Sequence, residues 1–406
     1  MNILFFLFQK IDFSSETIGG IERHTVTLIK GLTPKNFHFF FSFSHTDDYR
    51  RIHPEIPENK VVAGDDLFIS KHTSPAQVRE YLQSHHIDVI HIQQNEGFET
   101  RLFRDAVEGL PVRIVATYHF MPGYELNDLN FHNSWLRFLQ ESGSGKKIKW
   151  LKRLLFLPYY RIKKKKRMLS KFQLLYKLTD HLVMLSPSYV ELFKELCPEA
   201  SGDQGRKLLS IYNCVSFDRV LTREELSGKR REIVIVSRLE EAYKRLSIAI
   251  NFWKRIVAEG RFPDWSMTIV GEGYSFNTYQ DMIKDVPGIT LAGRQPSFEY
   301  FARGAIFLNT SKNEGMSLSL IEAMQMGVVP ISFGGWKTVF DIIDDGINGF
   351  IIPEGDLESY YQHLVKLMDD EQLRHSMAVK AIEKCRNFSR ERFNLEYQKL
   401  YDPEIR

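Results

Sequence analysis

Cysteine is scarce in this chain: three in 406 residues, Cys197, Cys214 and Cys385. Their spacing fits neither a zinc site nor a disulfide framework, which leaves reduced, intracellular thiols as the reading. Long apolar runs are also missing. Residues 3–8 form an apolar run of six with no basic residue before it. That is too short for a signal peptide or a membrane span, and it reads as a buried first strand. Nothing later approaches the roughly 18 uninterrupted apolar residues of a spanning helix, so the expected location is cytoplasmic. No D-x-D pair of metal-holding carboxylates is present. Asp65-Asp66 and Asp344-Asp345 are adjacent pairs that suit turns, and no metal or other cofactor is expected.

What is present is ordinary for a globular chain, 43% hydrophobic and 26% charged with a net charge of +3. Its length exceeds what one core usually sustains, so two domains are expected. Strand-like runs at 2–8, 39–43, 88–93 and 112–117 alternate with helix-like segments at 75–84 and 99–107. Shorter strands at 181–185 and 207–212 flank a helix starting near Ser186. Such alternation predicts a parallel sheet with helices on both faces. Gly19-Gly20 falls between the first strand and a helix, where a phosphate can approach the backbone. The full dinucleotide glycine spacing is lacking, so plain loop glycines remain the alternative. His119 follows the 112–117 strand at its carboxyl end, where functional residues of such sheets gather. A structural histidine is the competing reading.

The same grammar restarts after a polar linker at 216–231. Strands are expected at 232–237, 266–270, 289–292, 305–308 and 328–332, and helices at 245–257, to about 368, 371–385 and 389–401. The predicted organisation is a Rossmann-like domain over 1–215, the linker, a second such domain over 232–388 and a final helix in 389–406. Two open α/β domains imply a cleft between them.

Residues 146–177 stand apart, with thirteen Lys or Arg and no acidic residue, which leaves −10 for the rest of the chain. Trp150, Leu151, Leu154, Leu155, Phe156, Tyr159 and Tyr160 interleave with the charges, and Pro158 interrupts any continuous helix. A basic, aromatic-bearing amphipathic segment suits an anionic membrane surface. A solvated basic helix is the alternative; nucleic acid is disfavoured, because no recognition motif accompanies the charge.

Residues 309–335 concentrate the candidate chemistry. A strand end and a polar loop carrying Glu314 lead to Ser317, placed to cap a helix. Leu318, Ile321 and Met324 recur at helical spacing, Glu322 lies inside the same helix, and Gly327 stops it. Amides at Gly315, Met316, Ser317, Leu318 and Ser319 make a helix start that favours an anion, while carboxylates beside it suit hydroxyls. A ligand with both phosphates and hydroxyls, such as a nucleotide sugar, meets both demands; an ordinary α/β crossover is the alternative. Arg238 and Lys244 follow the first strand of the second half, at the same sheet edge as the Glu314 loop. Together they can neutralise a diphosphate.

Six motifs occur in the order seen in family 4 glycosyltransferases: GGIE at 19–22, VSRLEEAYKR at 236–245, VGEGY at 270–274, LAGR at 291–294, NEGMSLSLIEAMQMGVVPIS at 313–332 and DGINGFIIPEGD at 345–356. The chain resembles that family over its whole second half and at the first glycine pair. The resemblance implies the two-Rossmann-domain GT-B architecture, with a final helix returning to the first domain, and anomer-retaining transfer from a nucleotide sugar, on family grounds a UDP-sugar. It implies that Glu314 contacts donor-sugar hydroxyls and Glu322 the ribose. It further implies that amides at 315–317 line the sugar pocket, and that those at Leu318 and Ser319 meet the diphosphate with Arg238 and Lys244. Gly19 and Gly20 would approach the donor from the other domain, and His119 would stand near the transferred sugar. Implied with these is same-face attack by the acceptor, the departing phosphate taking its proton. With the basic segment, a saccharide or lipid-linked acceptor at the inner face of the cytoplasmic membrane is expected, in cell-surface polysaccharide or glycoconjugate synthesis. A sugar-nucleotide epimerase and a non-catalytic membrane scaffold are the rivals.

Overall fold

The computed structural model describes residues 1–7, 20–32, 37–43, 67–69, 72–93, 98–129, 131, 134–135, 144–402 and 404. Contacts divide the chain into two compact units. Among the described residues, one holds those within Met1–Gln9, Phe40–Asp47 and Asp66–Ser210, and the other those within Lys10–Phe39 and Ile211–Arg406. The helix Gly20–Leu32 thus packs with the C-terminal half of the chain.

The first sheet contains β1 (Asn2–Leu7), β2 (His38–Phe43), β3 (Leu67–Phe68), β4 (Val89–Ile92), β5 (Arg113–Tyr118), β6 (His181–Met184) and β7 (Leu208–Ser210). Their order is β3-β2-β1-β4-β5-β6-β7, and the strands pair in parallel, as in Ile3 with Val89 and Ile90 with Ile114. Continuous apolar runs supply strands covered on both faces: Ile3, Leu4, Phe5, Phe6, Ile90, Ile114 and Val115 are fully buried. Each such side chain contributes roughly 1.5–3 kcal/mol of burial.

The second sheet contains β8 (Glu232–Val236), β9 (Ser266–Val270), β10 (Ile289–Gly293), β11 (Ile306–Asn309), β12 (Val329–Phe333) and β13 (Phe350–Ile352). It runs β10-β9-β8-β11-β12-β13, also in parallel. In both sheets the first strand is flanked by the second and the fourth. The order in which strands are added reverses there, the switch point at which such sheets open a crevice at the strands' carboxyl ends. The expected two-sheet α/β fold is therefore present. It also holds elements the sequence reading did not foresee: the three-residue β13 and the short helices Glu241–Lys244, Phe276–Ile283, Phe298–Arg303 and Val339–Ile342.

Two glycines fix the β8 end. Gly271 and Gly273 have φ of +149° and +152°. A Cβ on Gly271 would sit 1.8 Å from the Ser237 carbonyl oxygen, and one on Gly273 2.6 Å from that of Leu239. Only glycine lets these two chains lie so close. The reward is a pair of backbone hydrogen bonds, Leu239 N–H to Glu272 O at 2.7 Å and Ser275 N–H to Leu239 O at 2.9 Å, which hold the turn bearing Arg238.

The connecting residues 216–231 contain the short helix Arg223–Leu226, with a capping box between Thr222 and Glu225. Gln325 Nε2 donates to the Phe217 carbonyl at 2.8 Å, and Arg390 donates to that of Val215 at 3.2 Å and pairs with Asp218. The last helix, Arg390–Tyr401, packs on Gly20–Leu32, where His24 Nε2 lies 3.0 Å from Tyr397 Oη. All three cysteines are buried. Burial pushes the thiols of Cys197 and Cys214 up to about 11 and about 12, and that of Cys385 higher still.

The basic stretch forms two helices, Ser144–Leu155 and Leu157–Leu178, with Pro158 in the first turn of the second, where a missing N–H costs nothing. Met168, Phe172 and Leu175 face inward. Ile148, Leu151, Leu155, Phe156, Tyr159 and Ile162 are all exposed. Among the described residues, no helix is long and apolar enough to cross a membrane.

Candidate functional site

The C-terminal edge of β8 and β11 gathers most of the expected residues. After β11 the loop at 310–317 is tied down from several sides. Lys312 N–H donates to the Tyr243 carbonyl at 2.8 Å, Thr310 Oγ1 to that of Lys244 at 2.6 Å, and Thr338 Oγ1 to that of Gly315 at 2.9 Å. The short helix Glu241–Lys244 is anchored through Glu241, which accepts from Ser247 Oγ at 2.5 Å and Tyr279 Oη at 2.6 Å. It ends at Arg245, whose φ of +50° turns the chain sharply. Arg245 is held there by its bond to the Thr310 carbonyl at 2.8 Å, its pairing with Glu354 and its place over the Phe333 ring. None of these supports was foreseen; the sign in the sequence was a cation directly beside Lys244.

This scaffold brings Lys244 and Glu314 together. Lys244 Nζ donates to Glu314 Oε1 at 2.5 Å, with only 15% and 14% of the side chains exposed. Breaking such a pair from one side leaves a charge with its partner gone in a poorly solvated place. A small hollow of about 10 Å³ adjoins them, lined by Ser237, Lys244, Asn309, Glu314 and Ser319 among others. Arg238 stands at the same edge but points outward, 74% exposed, with Glu240 3.3 Å away.

Ser317 occupies the N-cap position of the helix Leu318–Gln325, as expected, yet its side chain caps nothing. The hydroxyl turns instead to Asn309 Nδ2 at 3.5 Å and Ser319 Oγ at 3.4 Å. That corrects the capping expectation, and it leaves the first-turn amides uncovered by a side-chain cap, as an anion site requires. Glu322, one helical turn on from Leu318, is buried to 1% exposure and pairs with Arg23 of the helix Gly20–Leu32. The role of Arg23 was missed in the sequence, although it directly follows the GGIE motif. Gly20 opens that helix. Gly19 and the Glu22 side chain lie outside the described residues.

His119 sits in the first unit at the end of β5, 8% exposed. Its Nε2 lies 2.7 Å from Gln93 Oε1, Gln93 Nε2 lies 3.4 Å from His91 Nδ1, and His91 Nε2 lies 2.8 Å from Thr117 Oγ1. Burial lowers the His119 pKa to about 3, and burial and then the His119 charge push His91 well below its usual value. Both rings are therefore neutral near pH 7, and His119 is a hydrogen-bonding group rather than a cation.

Two sheets of this order and this edge chemistry define the GT-B class of α/β protein. The "Glycosyltransferase Family 4" model matches residues 18–219 and the "Glycosyl transferases group 1" model residues 230–370. The chain belongs to the family 4 glycosyltransferases. It is 26% identical over 227 residues to an exopolysaccharide phosphotransferase of Streptomyces coelicolor, a match covering 55% of this chain and 23% of that protein. It is 27% identical over 168 residues to the poly(glycerol-phosphate) alpha-glucosyltransferase of Bacillus subtilis, covering 40% of this chain and 24% of that one. The matches thus span about a quarter of each of these two relatives. The Anabaena HepE structure in complex with UDP-glucose superposes with a TM-score of 0.69 at 14% identity, covering 99% of this chain and 100% of that one. At that identity the likeness speaks for the fold alone.

Proposed function

We propose that this chain is a retaining glycosyltransferase. It moves a sugar from a nucleotide-sugar donor, a UDP-sugar, to a hydroxyl of a saccharide or lipid-linked saccharide acceptor in cell-surface polysaccharide or glycoconjugate synthesis. The observation that carries this reading is the Lys244–Glu314 pair beside an uncapped helix start. One group suits a departing phosphate and the other the hydroxyls of the sugar being transferred. The uridine nucleotide is supported by the ligand named for the Anabaena structure, which is UDP-glucose.

Breaking the sugar–phosphate bond develops positive charge on the sugar and negative charge on the diphosphate. Lys244, Arg238 and the amides of Leu318 and Ser319 stabilise the leaving group, and that stabilisation grows as the bond breaks. Glu314 orients the sugar through its hydroxyls, and Glu322 holds the ribose. The acceptor hydroxyl attacks from the face that the phosphate leaves, which takes up its proton. His119, neutral and held through Nε2 by Gln93 Oε1, is proposed near the transferred sugar as the family resemblance implies. The exposed apolar, aromatic and basic side chains of residues 147–162 support a location on an anionic lipid surface, peripheral to the inner face of the cytoplasmic membrane.

A panel of nucleotide sugars screened by thermal shift, followed by turnover assays with the best binder, tests the reading. Transfer should fall at least about a hundredfold in Lys244→Ala and Glu314→Ala. Unchanged transfer in both variants would sink the proposed site. Interconversion of the donor without transfer would favour the epimerase rival, and donor binding without any turnover the scaffold.

A further inference from the structure

The Arg23–Glu322 pair is unusual in its cost. Glu322 is almost fully buried, while Arg23, 30% exposed, reaches it from another helix and lies 3.5 Å from Ser216 Oγ of the connecting segment. A buried carboxylate needs a partner at all times, so whatever ligand takes Glu322 must also deal with the guanidinium already there. The geometry says where that guanidinium can go. Gly20 and Arg23 lie three residues apart on one face of their helix, and Leu318 and Glu322 four apart on one face of theirs. A Cβ on Gly20 would lie 3.9 Å from Leu318 Cδ1, so the two faces run alongside each other in register. The first-turn amides of the Leu318 helix are therefore about 6 Å from Glu322 along the axis, within the sweep of an arginine side chain.

We infer that Arg23 is a further anion-binding residue of the nucleotide subsite, which guards Glu322 in the protein alone and moves to the pyrophosphate of a nucleoside diphosphate when the ribose diol takes the carboxylate. This rests on the nucleotide-sugar reading above. The exchange leaves both charged groups hydrogen-bonded: Glu322 trades a guanidinium for two hydroxyl donors, and Arg23 trades a carboxylate for phosphate oxygens that fit its planar fork. A nucleoside without phosphates displaces Arg23 and offers it nothing. The site thus discriminates against nucleosides by more than the lost phosphate contacts alone.

Isothermal titration of the full chain with uridine diphosphate, guanosine diphosphate and the two nucleosides tests this, using wild type, Arg23→Gln, Arg23→Lys and Glu322→Gln. Arg23→Gln should weaken the better diphosphate tenfold or more while leaving the nucleoside unchanged or tighter; Glu322→Gln should weaken both. Equal weakening of both ligands by Arg23→Gln would assign Arg23 a purely structural role, and tighter diphosphate binding would make it only a blocker; either overturns the inference. Should Arg23→Gln fail to fold, Arg23→Lys keeps a cation beside Glu322 but lacks the fork. Its ratio of diphosphate to nucleoside affinity should then fall threefold or more, and a wild-type ratio overturns the inference. Wild type binding neither diphosphate would remove the nucleotide reading itself, and this inference with it.

Discussion

At the scale of single residues, the site is built from charges that are never left alone. Lys244 is held by Glu314, Glu322 by Arg23 and Arg245 by Glu354, so each ligand group that enters must replace a partner. His91 and His119 follow a different rule, because burial keeps them neutral near pH 7. In the unfolded chain His119 titrates near 6.5, and in the native chain near 3. Between those values the unfolded state binds more protons. The stability gained by keeping His119 neutral is thus complete above about pH 6.5 and is lost as pH falls toward 3, at up to about 1.4 kcal/mol per pH unit. Urea-unfolding midpoints from pH 7 to 4.5 should fall less steeply in His119→Gln than in wild type; identical slopes would remove His119 as a source of acid sensitivity.

At the scale of elements, sequence pattern and structure agree where a single local signal decides. The apolar runs became buried parallel strands. Pro158 separated two helices, and the NEGMSLSLIEAM run gave a loop and a helix starting after Ser317. What was not legible depended on partners distant in the chain. β13 is three residues long and exists because β12 offers it an edge. The Ser317 hydroxyl abandoned its cap for Asn309 and Ser319. Arg23 acquired meaning only when its helix was laid against Glu322, 299 positions away. The basic helices make their own prediction. With lysines and bulky apolar groups exposed together, the full chain should bind vesicles containing anionic lipid, and binding should weaken as salt shortens the screening length. Changing Lys163, Lys164, Lys165 and Lys166 to Gln should lower vesicle co-sedimentation severalfold; undiminished binding would move the lipid contact elsewhere.

At the scale of the whole molecule, the same strand order is used twice, and among the described residues the charged cluster of Lys244 and Glu314 lies at the carboxyl edge of the second sheet. Five of the six ordered motifs lie in that second half, which is why the candidate site was more readable there. They mark turns where backbones crowd, as at Gly271 and Gly273, or side chains that a ligand would meet. The buried thiols add a property of a different kind. Cys197 belongs to one compact unit, and Cys214 and Cys385 to the other. With raised pKa values and little exposure they resist alkylation until the surrounding structure opens. They therefore act as native clocks, one in the first unit and two in the second. Isotope-coded iodoacetamide read by mass spectrometry should time the opening of each unit without an introduced label. A nucleotide sugar bound at Glu314 and Glu322 should slow the clocks at Cys214 and Cys385 more than that at Cys197; equal slowing at all three would contradict a ligand held mainly by the second unit.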